Sequence, residues 1–453
     1  MGTVRATVIS QIQDAFSPNP LHTEAEIANF YYETAEARTG DKYSDFVESM
    51  IMQALDSGDS ALHKLFIGHA GSGKTTELFR LYQKLKEENF FVCFGRCDID
   101  LDTGDVEYTE VLFYILDLLI RKAKENNIPV NEQTLDNIIA YWTSIQEVDI
   151  TTSRQEDATT EGSFEAGVKL LNVLNIMTKV KGILKSSEET KRQIRQSIMP
   201  KSSELLSRVK EVIENLETEL QKKQYPKIPF IILDGLDKIP LEQARKIFRE
   251  NGSKFAELPI HLLVTFPIAL TYTNEYRDIQ IWLPNPEKLP MIKLKNWVNN
   301  AYEEGYMEGI DTMRHIVEKR ADLNLFDKGV LDILIRQTGG YIRDLFRCIA
   351  RAAIRARIRK ADTICMEDAM NALNNLESDI NGCYSSDLIP SMVKIYEGEK
   401  YVNSSEDITK LMQVGAVLEY NGTRWCDLHP LVEKWLLEHH KMGEYNGNRS
   451  GRQ

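Results

Sequence analysis

Between residues 68 and 75 the chain reads Gly68-His69-Ala70-Gly71-Ser72-Gly73-Lys74-Thr75, which fits the spacing G-x-x-x-x-G-K-[ST] at every fixed position. These residue types suit one chemistry. Glycines let consecutive amides turn inward without a Cβ in the way. Those amides, with the start of a following helix, hold anionic phosphate. The ammonium of Lys74 would reach the terminal phosphates of a nucleotide, and the Thr75 hydroxyl would ligate magnesium. Thr76 extends the same stretch. The plain alternative is a flexible loop capping a helix. A second stretch, "FIILDGLD", ends an apolar run on Asp234, where phosphoryl chemistry needs an acid to hold the metal. Asp237, three residues on, is placed either to orient water or to cap a helix beginning near Leu241.

Groups so far apart in the chain meet only if a sheet brings them together. "KLFIG" (64–68) reads as a strand ending on glycine, and "KTTELFRLYQKLKEE" (74–88) as the helix that follows. "FFVCFGRCDI" (90–99), "IPFIILDGLDKI" (228–239) and "IHLLVTFP" (260–267) are continuous apolar runs suited to strands buried on both faces, with "LPMIKL" (289–294) as a candidate fifth. Alternation with helices predicts an α/β fold built on a parallel sheet. Residues 24–56 carry helical spacing ahead of the sheet, and 109–126 form an amphipathic helix. The stretch 149–163 is polar and reads as a mobile loop. Residues 187–224 are helical with an interruption near Pro200. Their stripe of Leu205, Val209, Val212, Ile213, Leu216 and Leu220 favours a helix lying on the core over a coiled-coil arm.

From about residue 300 the pattern turns helical, with four helices joined by short loops. Residues 416–430 read as a hairpin turned at Asn421-Gly422, so the tail resembles a winged-helix module. The expected domains are N-terminal helices (1–60), a sheet core with a helical insertion at about 109–224 (61–298), a helical lid (299–380), a winged-helix-like domain (381–440) and a disordered tail (441–453).

The net charge of −13 argues against coating nucleic acid by bulk charge, without excluding a local basic face. One such face exists. Arg343, Arg347, Arg351 and Arg355 recur every four residues, followed by Arg357, Arg359 and Lys360. It reads either as a solvated, salt-bridged face or as a contact for a nucleic-acid backbone. The six cysteines are few and scattered. Cys93 and Cys97, the close pair, read as buried thiols rather than metal ligands. No apolar run of membrane-spanning length occurs, and the chain is expected to be soluble and cytoplasmic.

The stretches "LFIGHAGSGKTTEL", "FIILDGLDKI", "HLLVTFP" and "TGGYIRDLFRCI", in this order, resemble AAA+/STAND-type P-loop ATPases near the origin-recognition-like branch, and are similar to bacterial antiviral-defence ATPases. The resemblance spans roughly residues 25 to 435. It implies ATP and Mg²⁺ as ligands, Thr265 at the end of the sensor 1 strand touching the γ-phosphate region, and Arg343 as the sensor 2 residue of the lid. A buried strand threonine is the alternative for Thr265. Arg277 and Arg249 are candidate arginine fingers. The chain departs from the pattern in three places. Gly235 stands where many such ATPases have glutamate, Phe266-Pro267 where STAND relatives have Ser-Arg, and Ile342 where they have proline. Slow hydrolysis, or Asp237 as base, follows from the first departure. The absence of an Asn-Lys-x-Asp guanine-reading motif favours ATP over GTP.

The functional expectation is an ATP-binding and ATP-hydrolysing switch coupling nucleotide state to lid closure, self-assembly and engagement of a partner effector, in an antiviral-defence setting. The alternative is an ATP-dependent DNA-binding protein of the origin-recognition type, contacting DNA through the arginine-rich lid helix and the C-terminal module. A third reading has the nucleotide as a permanent fold staple.

Overall fold

The structure is a computed structural model, and it describes residues 4–145, 163–298, 301–303, 306–421 and 425–439. The polar stretch expected at 149–163, all but its last residue, and the expected tail at 441–453 lie outside the described residues, as does Gly422 of the expected hairpin turn.

After a short helical turn over Ile12–Ala15 come three longer helices ahead of the sheet: α1 (Glu24–Phe30), α2 (Ala35–Thr39) and α3 (Phe46–Asp56). Then come β1 (His63–Gly68), α4 (Lys74–Glu87) and β2 (Val92–Arg96). A helical insertion follows, α5 (Tyr108–Glu125), α6 (Glu132–Thr143), α7 (Ser163–Leu184), α8 (Glu188–Ile198) and α9 (Ser202–Lys222), with a 3₁₀ turn over Met199–Lys201 at the proline. The sheet resumes with β3 (Phe230–Asp234), β4 (His261–Pro267), α10 (Tyr276–Trp282) and β5 (Glu287–Lys288). Strand order is β2-β3-β4-β1-β5, all parallel. The candidate strand at 289–294 is not one. The edge strand is two residues earlier and two residues long, and Met291 instead bridges to Tyr420.

Alternate strand residues point to opposite faces, so the sheet feeds two cores. Phe66, Val92, Phe230, Ile232 and Leu263 pack with α3 and α4 on one face. Leu65, Ile67, Cys93, Ile231, Leu233 and Val264 pack with the insertion on the other. The stripe of α9, from Leu205 to Leu220, is fully buried against α5, so that helix lies on the core. Cys93 and Cys97 are buried free thiols.

A small antiparallel hairpin, β6 (Asn296–Val298) and β7 (Ala301–Glu303), was not foreseen and separates the sheet from the helices. The lid is α11 (Met307–Arg320), α12 (Val330–Gln337), α13 (Ile342–Ile358) and α14 (Met366–Asn381). The tail is α15 (Ile389–Glu397), α16 (Glu406–Val414), β8 (Val417–Tyr420), β9 (Trp425–Leu428) and α17 (Pro430–His439), a winged-helix arrangement. Tyr420 pairs with Trp425, and the expected turn at Asn421-Gly422 lies partly outside the described residues. No helix among the described residues is long and apolar enough to cross a membrane.

Candidate functional site: a phosphate cradle under the lid

Parallel pairing puts every strand's carboxyl end on one edge, and register decides who meets there. Arg96 lies opposite Asp234, and Gly68 opposite Pro267. The loop leaving β1 therefore rises beside the acid leaving β3. A cleft opens at this edge, between the loop, the N-terminal segment and the lid.

The amides of Gly71, Gly73, Lys74 and Thr75 have no acceptor among the described residues. They form the orphan N–H cluster of a helix start, which suits an anion. Gly71 has φ +92°, and a Cβ there would lie 2.6 Å from Arg343 Nε. Both the left-handed backbone and the arginine above it exclude a side chain. Lys74 is buried. Its Nζ donates to the Gly68 and His69 carbonyls at 2.7 and 2.9 Å and pairs with Asp237 Oδ2 at 2.8 Å. Thr75 Oγ1 donates to Asp234 Oδ2 at 2.7 Å. Burial and the nearby Asp237 raise the Asp234 pKa. Hydroxyl and carboxylate oxygens so placed are the hard donors that magnesium takes, and magnesium needs few protein ligands. Two polar atoms beside them are buried without a partner, Ser72 Oγ and Asp237 Oδ1.

Asp237 caps no helix. It sits in a 3₁₀ turn over Leu236–Lys238, and the helical turn at Leu241 is preceded by Pro240. Thr265 departs from the sensor expectation. It is fully buried, does not line the cleft, and accepts hydrogen bonds from the Leu236 and Asp237 amides at 3.0 and 3.4 Å. β4 lies between β1 and β3, so its end props the turn that carries Asp237. Arg343 lies over Gly71 and lines the cleft, with no hydrogen bond or ion pair to any described residue.

Two cradle residues bond to distant parts of the chain. His69 is buried, its Nε2 accepts the Glu419 amide of β8 at 2.9 Å, and burial together with Lys74 pulls its pKa down to about 3. Thr76 Oγ1 accepts from the Leu21 amide at 3.2 Å, tying the N-terminal segment to α4. The Ala70 carbonyl accepts from the Tyr341 hydroxyl. The loop is thus bonded to the lid and to the C-terminal hairpin at adjacent residues.

Sequence reasoning missed four cations that line the cleft. Arg38, fully buried, donates to the Ser72 carbonyl at 2.7 Å, to the Pro290 carbonyl and to Thr34 Oγ1 at 2.8 Å. Arg96 lies 3.4 Å from Asp234 and bonds Asp98 at 2.9 Å, and Lys238 reaches the same Asp98 at 2.5 Å. Arg320 is treated below. For Arg96 a signal existed, the end of a strand beside the acid strand. For Arg38 none did, because the contacts that bring it to the cleft are to the Ser72 and Pro290 carbonyls, distant in the chain. The apolar wall, made by Leu21, Phe30, Ile316, Ile342 and Phe346, was also missed.

The expected basic face is largely internally paired. Arg347 and Arg351 bond Asp379, Arg355 bonds Glu367, and Arg359 bonds Asp368. Arg357 and Lys360 remain exposed without an ion pair to any described residue. Of the arginine-finger candidates, Arg249 pairs with Asp278 at 3.0 Å, whereas Arg277 is exposed on α10 and pairs with no described residue.

No protein-family model matches the chain, and no curated protein does. Solved structures similar to it include Cdc6p from Pyrobaculum aerophilum, 12% identical, covering 91% of this chain and 98% of that one with a TM-score of 0.38. The Aeropyrum pernix ORC2 protein in its ADP form is 12% identical, covering 96% and 98% with a TM-score of 0.41. The Aeropyrum pernix ORC1 protein in complex with DNA is 13% identical, covering 96% and 98% with a TM-score of 0.38.

Proposed function

We propose that the chain is an ATP-driven switch. Nucleotide held by the 68–76 cradle sets the position of the lid and of the C-terminal module. The observation that carries this reading is the pair of bonds from adjacent cradle residues, Ala70 to Tyr341 of the lid segment and His69 to Glu419 of the C-terminal hairpin. A phosphate that reshapes the loop perturbs both bonds at once. Lys74, Arg38 and Arg343 supply positive charge around the orphan amides. Thr75 and Asp234 would hold Mg²⁺, which supplies neutralisation of phosphate charge when bound. Asp237, with one oxygen on Lys74 and the other unpartnered, is the base that orients water, and Thr265 fixes its turn. Arg277 is the candidate finger toward a neighbouring copy. Self-assembly, a partner effector and an antiviral-defence setting rest on the sequence resemblance alone. DNA binding is kept as a second reading because Arg357 and Lys360 are exposed without an ion pair to any described residue, in a chain whose tail is a winged-helix arrangement.

The test is limited proteolysis and size-exclusion with ATP, ADP and no nucleotide. The switch predicts distinct cleavage patterns around residues 338–347 and 417–428, lost in Arg343→Ala although that variant still binds nucleotide. Identical patterns in all three conditions refute the switch. Lys74→Ala abolishes turnover; unchanged turnover would point to a contaminant.

A further inference from the structure

Arg320, the last residue of α11, has no carboxylate of a described residue in direct contact, and Glu26 acts on it only from beyond ion-pair distance. The residue is 6% exposed and lines the cleft. A guanidinium carries five N–H donors, and here only Nη1 finds an acceptor, the Ala15 carbonyl at 2.7 Å. Nε is buried with no partner at all. Two rings lie near the group, its carbon 5.1 Å from the Phe30 ring centroid and 4.5 Å from that of Phe346. Burial lowers its pKa to about 10, so it stays charged at neutral pH. A buried, charged donor left short of acceptors is costly unless something supplies them. The same aromatic rings form the apolar wall of the cleft, where a planar ring would lie once its phosphates occupy the cradle.

We propose that Arg320 reads the nucleobase, donating a hydrogen bond from its guanidinium to a ring-nitrogen acceptor of an adenine nucleotide. This rests on the phosphate-cradle reading and adds what that reading lacks, a side chain that bonds the base, which excludes guanine where the acceptor is N1. Guanidinium only donates, so it selects acceptor positions and disfavours a base that presents a donor there. The bond to the Ala15 carbonyl and the two neighbouring rings restrict its freedom to serve a different edge.

The experiment measures direct binding of ATP, 1-deaza-ATP, 3-deaza-ATP, 7-deaza-ATP and inorganic tripolyphosphate to the full chain and to Arg320→Met and Arg320→Lys. One deaza analogue should bind the unsubstituted protein roughly tenfold or more weakly than ATP, the usual scale of one lost hydrogen bond. Arg320→Met should bind ATP and that analogue equally weakly while holding tripolyphosphate as before. Arg320→Lys, which keeps the charge and one donor, should recover part of the discrimination. The proposal fails if all three analogues bind like ATP, or if Arg320→Met still discriminates among them. It also fails if tripolyphosphate binding falls with ATP binding in both variants, since Arg320 then only braces the fold through Ala15. Failure of tripolyphosphate to bind the unsubstituted protein would overturn the cradle reading itself.

Discussion

Asp237 and Thr265 show how single side chains divide the work at the sheet edge. Asp237 holds Lys74 with one oxygen, so an incoming phosphate competes with it for the ammonium. Asp237→Asn should therefore keep or tighten nucleotide binding while lowering turnover by about 10²–10⁴, the range for loss of a positioned base. Separate measurement of Kd and kcat checks this, and a loss of affinity with unchanged kcat would assign Asp237 to binding alone. Thr265→Val removes the acceptor of two amides without changing side-chain volume much. It should cost about 1–3 kcal/mol in the urea unfolding free energy through the stranded Leu236 amide, and lower kcat by letting the Asp237 turn drift. The cradle, Asp234 and Asp237 were legible in the sequence because phosphate chemistry demands those types at fixed local spacing. The role of Thr265 was not, since it depends on β4 lying between the two functional strands, which no local pattern states.

The β8–β9 hairpin is the element whose docking depends on protonation. Imidazole Nε2 of His69 accepts the Glu419 amide, and a protonated ring would instead oppose one donor with another. The docked imidazole titrates near pH 3, against about 6.5 when free. A depressed base stabilises the docked form above the free pKa and loses that contribution as pH falls toward 3. Amide exchange protection at Glu419 should thus fall about tenfold per pH unit below about 6.5, relative to His69→Gln, whose side-chain oxygen accepts without titrating. Parallel profiles in the two proteins would refute the coupling. The helices of the lid were legible from periodicity, and so was a hairpin near 416–430. Where the hairpin lands was not, because a contact between positions 69 and 419 leaves no local trace.

The whole molecule carries −13, and most of its arginine-rich helix is neutralised by α14 and neighbouring acids. Duplex DNA titrated at physiological salt should bind with micromolar or weaker affinity, insensitive to ATP. Submicromolar binding that strengthens with ATP and drops in Arg357→Glu/Lys360→Glu would favour the DNA reading instead. The sheet's two cores were readable from apolar runs, but the pairing of α13 with α14 was not, because charge alone does not say which acids stand opposite. The cleft itself gathers Leu21 near the front of the chain, the cradle, and Arg320 and Phe346 of the lid, while behind the loop the hairpin amide meets His69 across 350 positions. At typical synthesis speeds a ribosome needs roughly 20–70 s to make that intervening stretch. A nascent chain thus carries its glycine-rich loop long before the Glu419 amide that His69 accepts has been made.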